Sequence, residues 1–457
     1  MSSWPQFEGT VPPMAVSVGK VDITPAAGMP MAGYGLSTPR LATGVNAPLY
    51  ARCTVLWDNG SPNVIVTADL LGFGRATNQA IRTQVEAMGV ARSDFVLTAT
   101  HTHNGPVLSD PIDPYTLYNV TDPAQLTLIQ QCTTTMIDAI VDLVEATLAA
   151  TRTACTLDYR VTQATFSRNR EGLSTVERDV PVLLARDLTG VPLAVLFGYG
   201  CHPVAAGSQT LFDPDYPGVA AQRIENESGA HAQFVLGTHG DQDPLDPKSL
   251  PRSTELGTTL GNLVITAMGT AGRAITGPIL TAYKDVTLPL DITVNPGNMA
   301  VVRANFAKRL TVETLNSFYG RHAQRMIAQI DASTFATAVQ LPLQVWRLGG
   351  TPLLKMVFAG GELIAGFGAY FRAHNGGTNA IWMASNANET PAYIPSDELL
   401  FLHPGLHYAC GWMPDFPGIG GGAQAVYGWL GRFRGRKPGT TTTGVEQIVI
   451  TEITSML

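Results

Sequence analysis

Apolar and polar positions along this chain fall into two periods, and they place most of its elements. Residues 15–24 alternate as a half-buried strand does, and Pro25 ends the run. Residues 49–57 and 63–69 repeat the strand pattern on either side of Asp58-Asn59-Gly60, a hairpin turn sequence. Residues 77–88 shift to the helical period, and 95–100 return to an apolar, β-branched run. Residues 123–150 carry apolar side chains at helical spacing, with Pro123 suited to a first turn. Further strands are predicted at 155–165, 191–198, 233–236, 279–288, 339–346, 353–358 and 447–453. Helices are predicted at 219–228, at 254–269 and over most of 299–330, and Gly360-Gly361-Glu362 is expected to open another. A Gly/Pro/Met-rich loop from Ala26 to about Pro48 has the composition of a wall or lid. This alternation predicts an α/β fold: a single domain over residues 1–457, with more than one mixed β-sheet flanked by helices.

Composition narrows the class. With 45% hydrophobic and 14% charged residues, the chain can bury a large core. The net charge of −7 comes with no basic stripe, which argues against nucleic acid as a partner. No apolar run reaches the length of a membrane span, and no amphipathic basic segment suggests docking on a bilayer. Met1-Ser-Ser-Trp-Pro-Gln-Phe-Glu lacks the basic and apolar regions of a signal peptide, so a cytoplasmic location is expected. Cys53, Cys132, Cys155, Cys201 and Cys410 are odd in number and scattered, and read as reduced core thiols.

The candidate chemistry begins where the run 95–100 ends, at His101-Thr102-His103-Asn104-Gly105-Pro106. Residues i and i+2 of a strand share a face, so both imidazoles are expected to point into one cavity. A bland alternative is a hydrogen-bonded pair closing the strand. A second apolar run delivers Cys201-His202-Pro203, and a third delivers Ala359-Gly360-Gly361-Glu362. Two imidazoles and a carboxylate from different strands are a usual donor set for a catalytic zinc, although Glu362 could equally serve only its helix's first turn.

These blocks resemble the neutral (non-lysosomal) ceramidases. Thr100–Pro106 is similar to that family's THTHSGP, Ser167–Arg170 to its NR segment, and Cys201–Val204 to its HPV. Asp213–Gly218 resembles SDNxGYA, Gly240–Pro244 GDxSPN, Ala359–Glu362 PGE, and Ala392–Glu398 a YxTxEE-like block. Gly19–Pro25 and Ala32–Gly35 fit the opening GxxDIT…MGY, so the resemblance runs in order along nearly the whole chain.

The resemblance implies a zinc-dependent hydrolase that cleaves an N-acyl amide by a metal-activated water. It implies zinc held by His101, His202, Glu362 and Tyr393, and His103 as the general acid/base. It also implies Arg170 and Tyr408 at the substrate oxygen. Asp243 stands where the family has its active-site serine and cannot form an acyl-enzyme by the serine route. It could bind a basic group, orient or deprotonate a water, or cap the turn before Pro244. Of the other histidines (His231, His239, His322, His374, His403), only His239 lies beside the altered motif. Longer members carry a C-terminal immunoglobulin-like domain that is not expected within these 457 residues. The expected partner is a small acyl-amide or related substrate, with no oligomeric state indicated. A zinc esterase or lactonase, a hydrolase of another polar substrate, and a silent zinc- or ligand-binding homologue are the alternatives.

Overall fold

Twelve strands join in one branched sheet in the computed structural model, which describes residues 11–110, 113–402 and 408–457. They are β1 (Met14–Asp22), β2 (Tyr50–Asp58), β3 (Ser61–Ala68), β4 (Phe95–Ala99), β5 (Thr153–Gln163) and β6 (Asp179–Asp187). The rest are β7 (Pro192–Tyr199), β8 (His231–Leu236), β9 (Arg273–Pro289), β10 (Ala338–Gly349), β11 (Leu354–Ala359) and β12 (Ile381–Ala384). The order is β12-β11-β10-β9-β5-β1-β2-β3-β4, and β6, β7 and β8 branch from β5. Strand β5 is shared because different stretches of it meet different partners: Thr153 and Ala154 pair β1, Leu157–Tyr159 pair β9, and Cys155–Gln163 pair β6.

The branch folds the sheet into two layers around an apolar interior. Val16, Leu56, Ile65 and Val96 from one layer pack with Leu157, Leu183, Leu196 and Val235 from the other. Outside them, Met136, Ile140 and Val144 of the helix Pro123–Ala149 cover one face, and the helices Asp215–Ser228 and Leu250–Met268 cover the other. Strands buried on both faces read as near-continuous apolar runs, as Tyr50–Asp58 does. Each fully buried Val, Leu or Ile adds roughly 1.5–3 kcal/mol relative to exposure.

Three parallel pairs organise the molecule: β3 with β4, β7 with β8, and β11 with β12. Parallel neighbours need a crossover, and the helices Arg75–Ala87, Asp215–Ser228 and Ala365–His374 supply them. Residues 385–388 then stitch the carboxyl ends together. Ser385 N donates to Leu236 O at 2.9 Å, Ala387 N to Ala359 O at 3.0 Å, and Asn388 N to Leu97 O at 2.5 Å. Asn386 and Asn388 take φ of 56° and 63°, a left-handed conformation that asparagine tolerates.

Several sequence expectations change. Residues 447–453 are helical, within Val445–Met456, because Val445, Val449 and Ile453 recur every four residues and are the buried positions. The stretch 299–330 breaks into Pro296–Val312 and Phe318–Ala332, and Ser317 caps the second by accepting from Gly320 N. Glu362 does not open a helix: it lies in the short strand Glu362–Leu363, parallel to Tyr393–Ile394, and the helix starts at Ala365. Strands β6 and β12 carried no clear alternation and were not anticipated. No helix among the described residues is long and apolar enough to cross a membrane.

Candidate metal centre and active site

Four side chains that could hold a metal ion meet at the carboxyl ends of these strands. His101 follows β4 by two residues, while His202, His239 and Glu362 follow β7, β8 and β11 by three. All four are buried, and their donor atoms lie within 4.8 Å of one another. Glu362 Oε2 is 3.3 Å from His101 Nε2, 3.2 Å from His202 Nε2 and 3.5 Å from His239 Nε2.

The far side of each imidazole explains why the Nε2 atoms face inward. His101 Nδ1 lies 2.5 Å from Leu71 O, and His202 Nδ1 lies 3.0 Å from His239 O. His239 Nδ1 lies 3.1 Å from Gly237 O and 2.9 Å from Ser385 Oγ, whose own proton goes to Gly237 O. Carbonyl oxygens only accept, so each Nδ1 carries the proton and each Nε2 keeps a bare lone pair. His101 Nε2, His239 Nε2 and Glu362 Oε2 are buried without a hydrogen-bond partner. Burial, with Arg170 adding, pushes the pKa of His202 down to about 3. Three imidazoles whose Nδ1 protons are committed to carbonyls, crowded around a buried carboxylate, are the donor chemistry of a divalent cation, and these residues fit one.

The second oxygen of Glu362 accepts from the Tyr427 hydroxyl, a partner the sequence did not flag. Outer groups of this kind tune metal affinity by about 10-fold or more. Tyr427→Phe is therefore expected to weaken zinc binding about tenfold without unfolding the chain. Titration against a chromophoric chelator reads this directly, and an unchanged affinity would reduce Tyr427 to packing.

His103 reaches the same cavity, though not by sharing a strand face with His101. The strand stops at Ala99, and His101 has φ 69°, so a left-handed turn swings its ring inward instead. The rings of His101 and His103 are 5.0 Å apart, and both nitrogens of His103 lack a partner. Burial, then His101 and His202, keeps the pKa of His103 well below the usual histidine value. The 26–48 loop forms the wall here: Ala32 N donates to Gly105 O at 2.9 Å, and the Tyr34 ring packs edge-on against His103 at 5.2 Å.

Arg170 is anchored on the opposite side. Its Nη1 meets Asp243 Oδ1 at 3.2 Å, and its Nη2 donates to Gly240 O at 2.8 Å and to the Tyr393 hydroxyl at 3.1 Å. The strands Ser167–Asn169 and Gln242–Pro244 pair antiparallel and set this register, with Asp243 opposite Arg168. The other Asp243 oxygen takes Lys248 Nζ at 2.9 Å. Burial would raise the pKa of Asp243, but Arg170, His202 and Lys248 together bring it to about 2. Both oxygens of this ionised carboxylate are therefore engaged.

Tyr393 is buried with its hydroxyl 3.3 Å from His202 Nε2, and Tyr408, 37% exposed, stands at the rim with its ring 5.5 Å from that of Tyr393. His239 is the residue that the sequence left without a role. A histidine after an apolar run was the available signal, but its placement depends on β8 lying beside β7. His231, His322 and His374 bind elsewhere, and His403 lies outside the described residues.

The fold and site together define a layered α/β protein with a candidate metal centre where parallel strand pairs end. Residues 14–237 match the family described as neutral/alkaline non-lysosomal ceramidase, N-terminal. The chain is thus similar to that family over just under half of its length. The matched stretch carries His101, His103, Arg170 and His202, while His239, Asp243, Glu362, Tyr393 and Tyr408 lie beyond it. The fold is similar to neutral ceramidase from Pseudomonas aeruginosa, with a TM-score of 0.65 at 20% identity over 85% of this chain and 69% of that one. It is also similar to a ceramidase complexed with C2, with a TM-score of 0.64 at 20% identity over 85% and 70% of the two chains. No curated protein matches the chain.

Proposed function

We propose that the chain is a zinc-dependent hydrolase that cleaves an N-acyl amide bond in the manner of a ceramidase. The observation that carries this reading is the convergence of three imidazole Nε2 atoms on the Glu362 carboxylate, with an unpartnered His103 beside them. The family match over residues 14–237 supports the same chemistry. His101, His202 and Glu362 would hold the ion, which when bound supplies a Lewis acid and lowers the pKa of a water towards neutrality. The ring nitrogens of His103, free of other partners, would take a proton from the attacking water and pass it to the leaving amine. Arg170, held in place by Asp243, Gly240 and Tyr393, would stabilise charge developing on the acyl oxygen, with Tyr408 at the rim. The zinc-loaded chain is expected to hydrolyse at least one member of a panel of N-acyl amides, esters and lactones, and to lose that activity to a chelator. Zinc uptake with no turnover on any of them would leave a silent binder.

Asp243 positions Arg170 and draws Lys248 to the site, a charge arrangement that a serine would not give. Asp243→Ser is therefore expected to raise kcat/KM for N-acyl sphingoid amides relative to short polar amides. Paired kinetics on the two substrates test it, and an unchanged ratio would confine Asp243 to a structural role.

A further inference from the structure

We infer that His239 completes the metal's protein donor set, and that Tyr393 stands outside it as the partner of Arg170. This rests on the zinc reading above and concerns which side chains hold the ion. A tyrosine donor was what the family resemblance implied; the geometry points to an imidazole.

His239 has one nitrogen committed and one exposed to the cluster. Its Nδ1 lies against Ser385 Oγ and Gly237 O, so a ring flip would lose both contacts, and the Gly237 carbonyl keeps the proton on this nitrogen. Its Nε2 is fully buried, has no hydrogen-bond partner, and lies 3.5 Å from Glu362 Oε2. Leaving a buried polar atom unpaired costs roughly 1–3 kcal/mol, a cost that a bound ion would offset at this Nε2.

The backbone also fixes His239 relative to Glu362. Gly240 N donates to Leu363 O at 2.9 Å, and a Cβ at Gly240 would fall 2.5 Å from Glu362 O. Only glycine allows the two strand tips to close this far, and the closure brings the imidazole onto the carboxylate. On the other side, His239 O accepts from His202 Nδ1, so the same residue orients a second imidazole through its main chain.

The Tyr393 hydroxyl is differently placed. It accepts from the Arg170 guanidinium at 3.1 Å and lies 3.3 Å from His202 Nε2, with Arg170 also 5.5 Å from the centre of its ring. A guanidinium donating into the phenol oxygen competes with a cation for that oxygen's lone pairs and repels it. Three neutral imidazoles and one carboxylate leave a divalent ion with one net positive charge. A tyrosinate in place of one imidazole would cancel that charge.

The test is metal affinity rather than turnover. Zinc is removed from the full chain, and its return is measured by competition with a chromophoric chelator; cobalt(II) absorption then reports the donor number. His239→Gln is expected to weaken zinc at least tenfold and to alter the cobalt spectrum. Tyr393→Phe should stay within threefold of the parent with the same spectrum. Ser385→Ala, which removes only the support of His239 Nδ1, should give an intermediate loss and covers the case in which His239→Gln does not fold, as judged by circular dichroism. Parental affinity in His239→Gln, or a tenfold loss in Tyr393→Phe, overturns the assignment. If His239→Gln does not fold, parental affinity in Ser385→Ala overturns it as well. A parent chain that takes up neither zinc nor cobalt removes the zinc reading and this inference together, whereas zinc uptake without dependence on His239 removes only the inference.

Discussion

His101→Ala is expected to lose its zinc and at least a thousandfold in kcat/KM on whatever acyl substrate the parent cleaves. The magnitude follows from what a catalytic ion supplies: several kcal/mol of charge stabilisation together with a water activated near neutral pH. His101 is 1% exposed, with its Nε2 3.3 Å from Glu362 Oε2, so alanine deletes one donor and leaves the carboxylate beside a small void. Stability should fall as well. An ion that binds only the folded chain adds about 4 kcal/mol when free zinc is a thousandfold above Kd. Chelating the parent and substituting His101 should therefore lower the melting temperature by similar amounts, and chelator should not lower that of the variant further. Bound zinc is counted by elemental analysis. A variant that keeps stoichiometric zinc and full activity would refute the placement of the metal centre.

Gly33→Ala is expected to cut kcat about a hundredfold while leaving zinc bound, since a misplacement of ~1 Å near the chemistry can cost that much. Gly33 has φ +104°, a conformation L side chains rarely adopt, and a Cβ there would lie 2.5 Å from the Cα and Cβ of His103. Neither side can yield easily. Gly33 N donates to the Tyr118 hydroxyl at 3.0 Å, and the carbonyl of His103 accepts from Arg40 Nη2 at 2.5 Å. The imidazole must therefore move. Gly28→Ala is the control, with φ +91° but nothing within 4 Å of the new methyl. It should cost about 1 kcal/mol of stability from the backbone alone, with kcat unchanged. Equal kinetics in the two alanine variants would mean that His103 does not depend on this wall.

Much of the fold was legible because local pattern and tertiary role agree. The hairpin at Asp58-Asn59-Gly60 forms with φ 48° at Asn59 and 85° at Gly60, as that turn chemistry requires. The helix Pro123–Ala149 begins with Pro123 in its first turn, and Asp122 caps it by accepting from Ala124 N. Residues 447–453 misled because Ile448-Val449-Ile450 is β-branched, which favours a strand locally. Burial of every fourth residue overrides that preference. The branch at β5, the two-residue strand of Glu362 and the stitch through Asn386 and Asn388 rest on pairings between distant residues, and leave no short-range signature.

The sequence alone determined where apolar runs end in histidine or glutamate, and therefore that His101, His202 and Glu362 stand at strand tips. It also determined the resemblance of those blocks to neutral ceramidases. Only the tertiary structure decided which tips meet. Parallel pairing of β7 with β8 sets His239 beside His202, and a left-handed residue, not strand alternation, brings His101 and His103 into one cavity. The physical reason is one of range. Periodicity records which face of an element is buried, whereas a metal centre is made by carboxyl ends brought together through hydrogen bonds between residues more than a hundred positions apart, such as Ser385 N to Leu236 O.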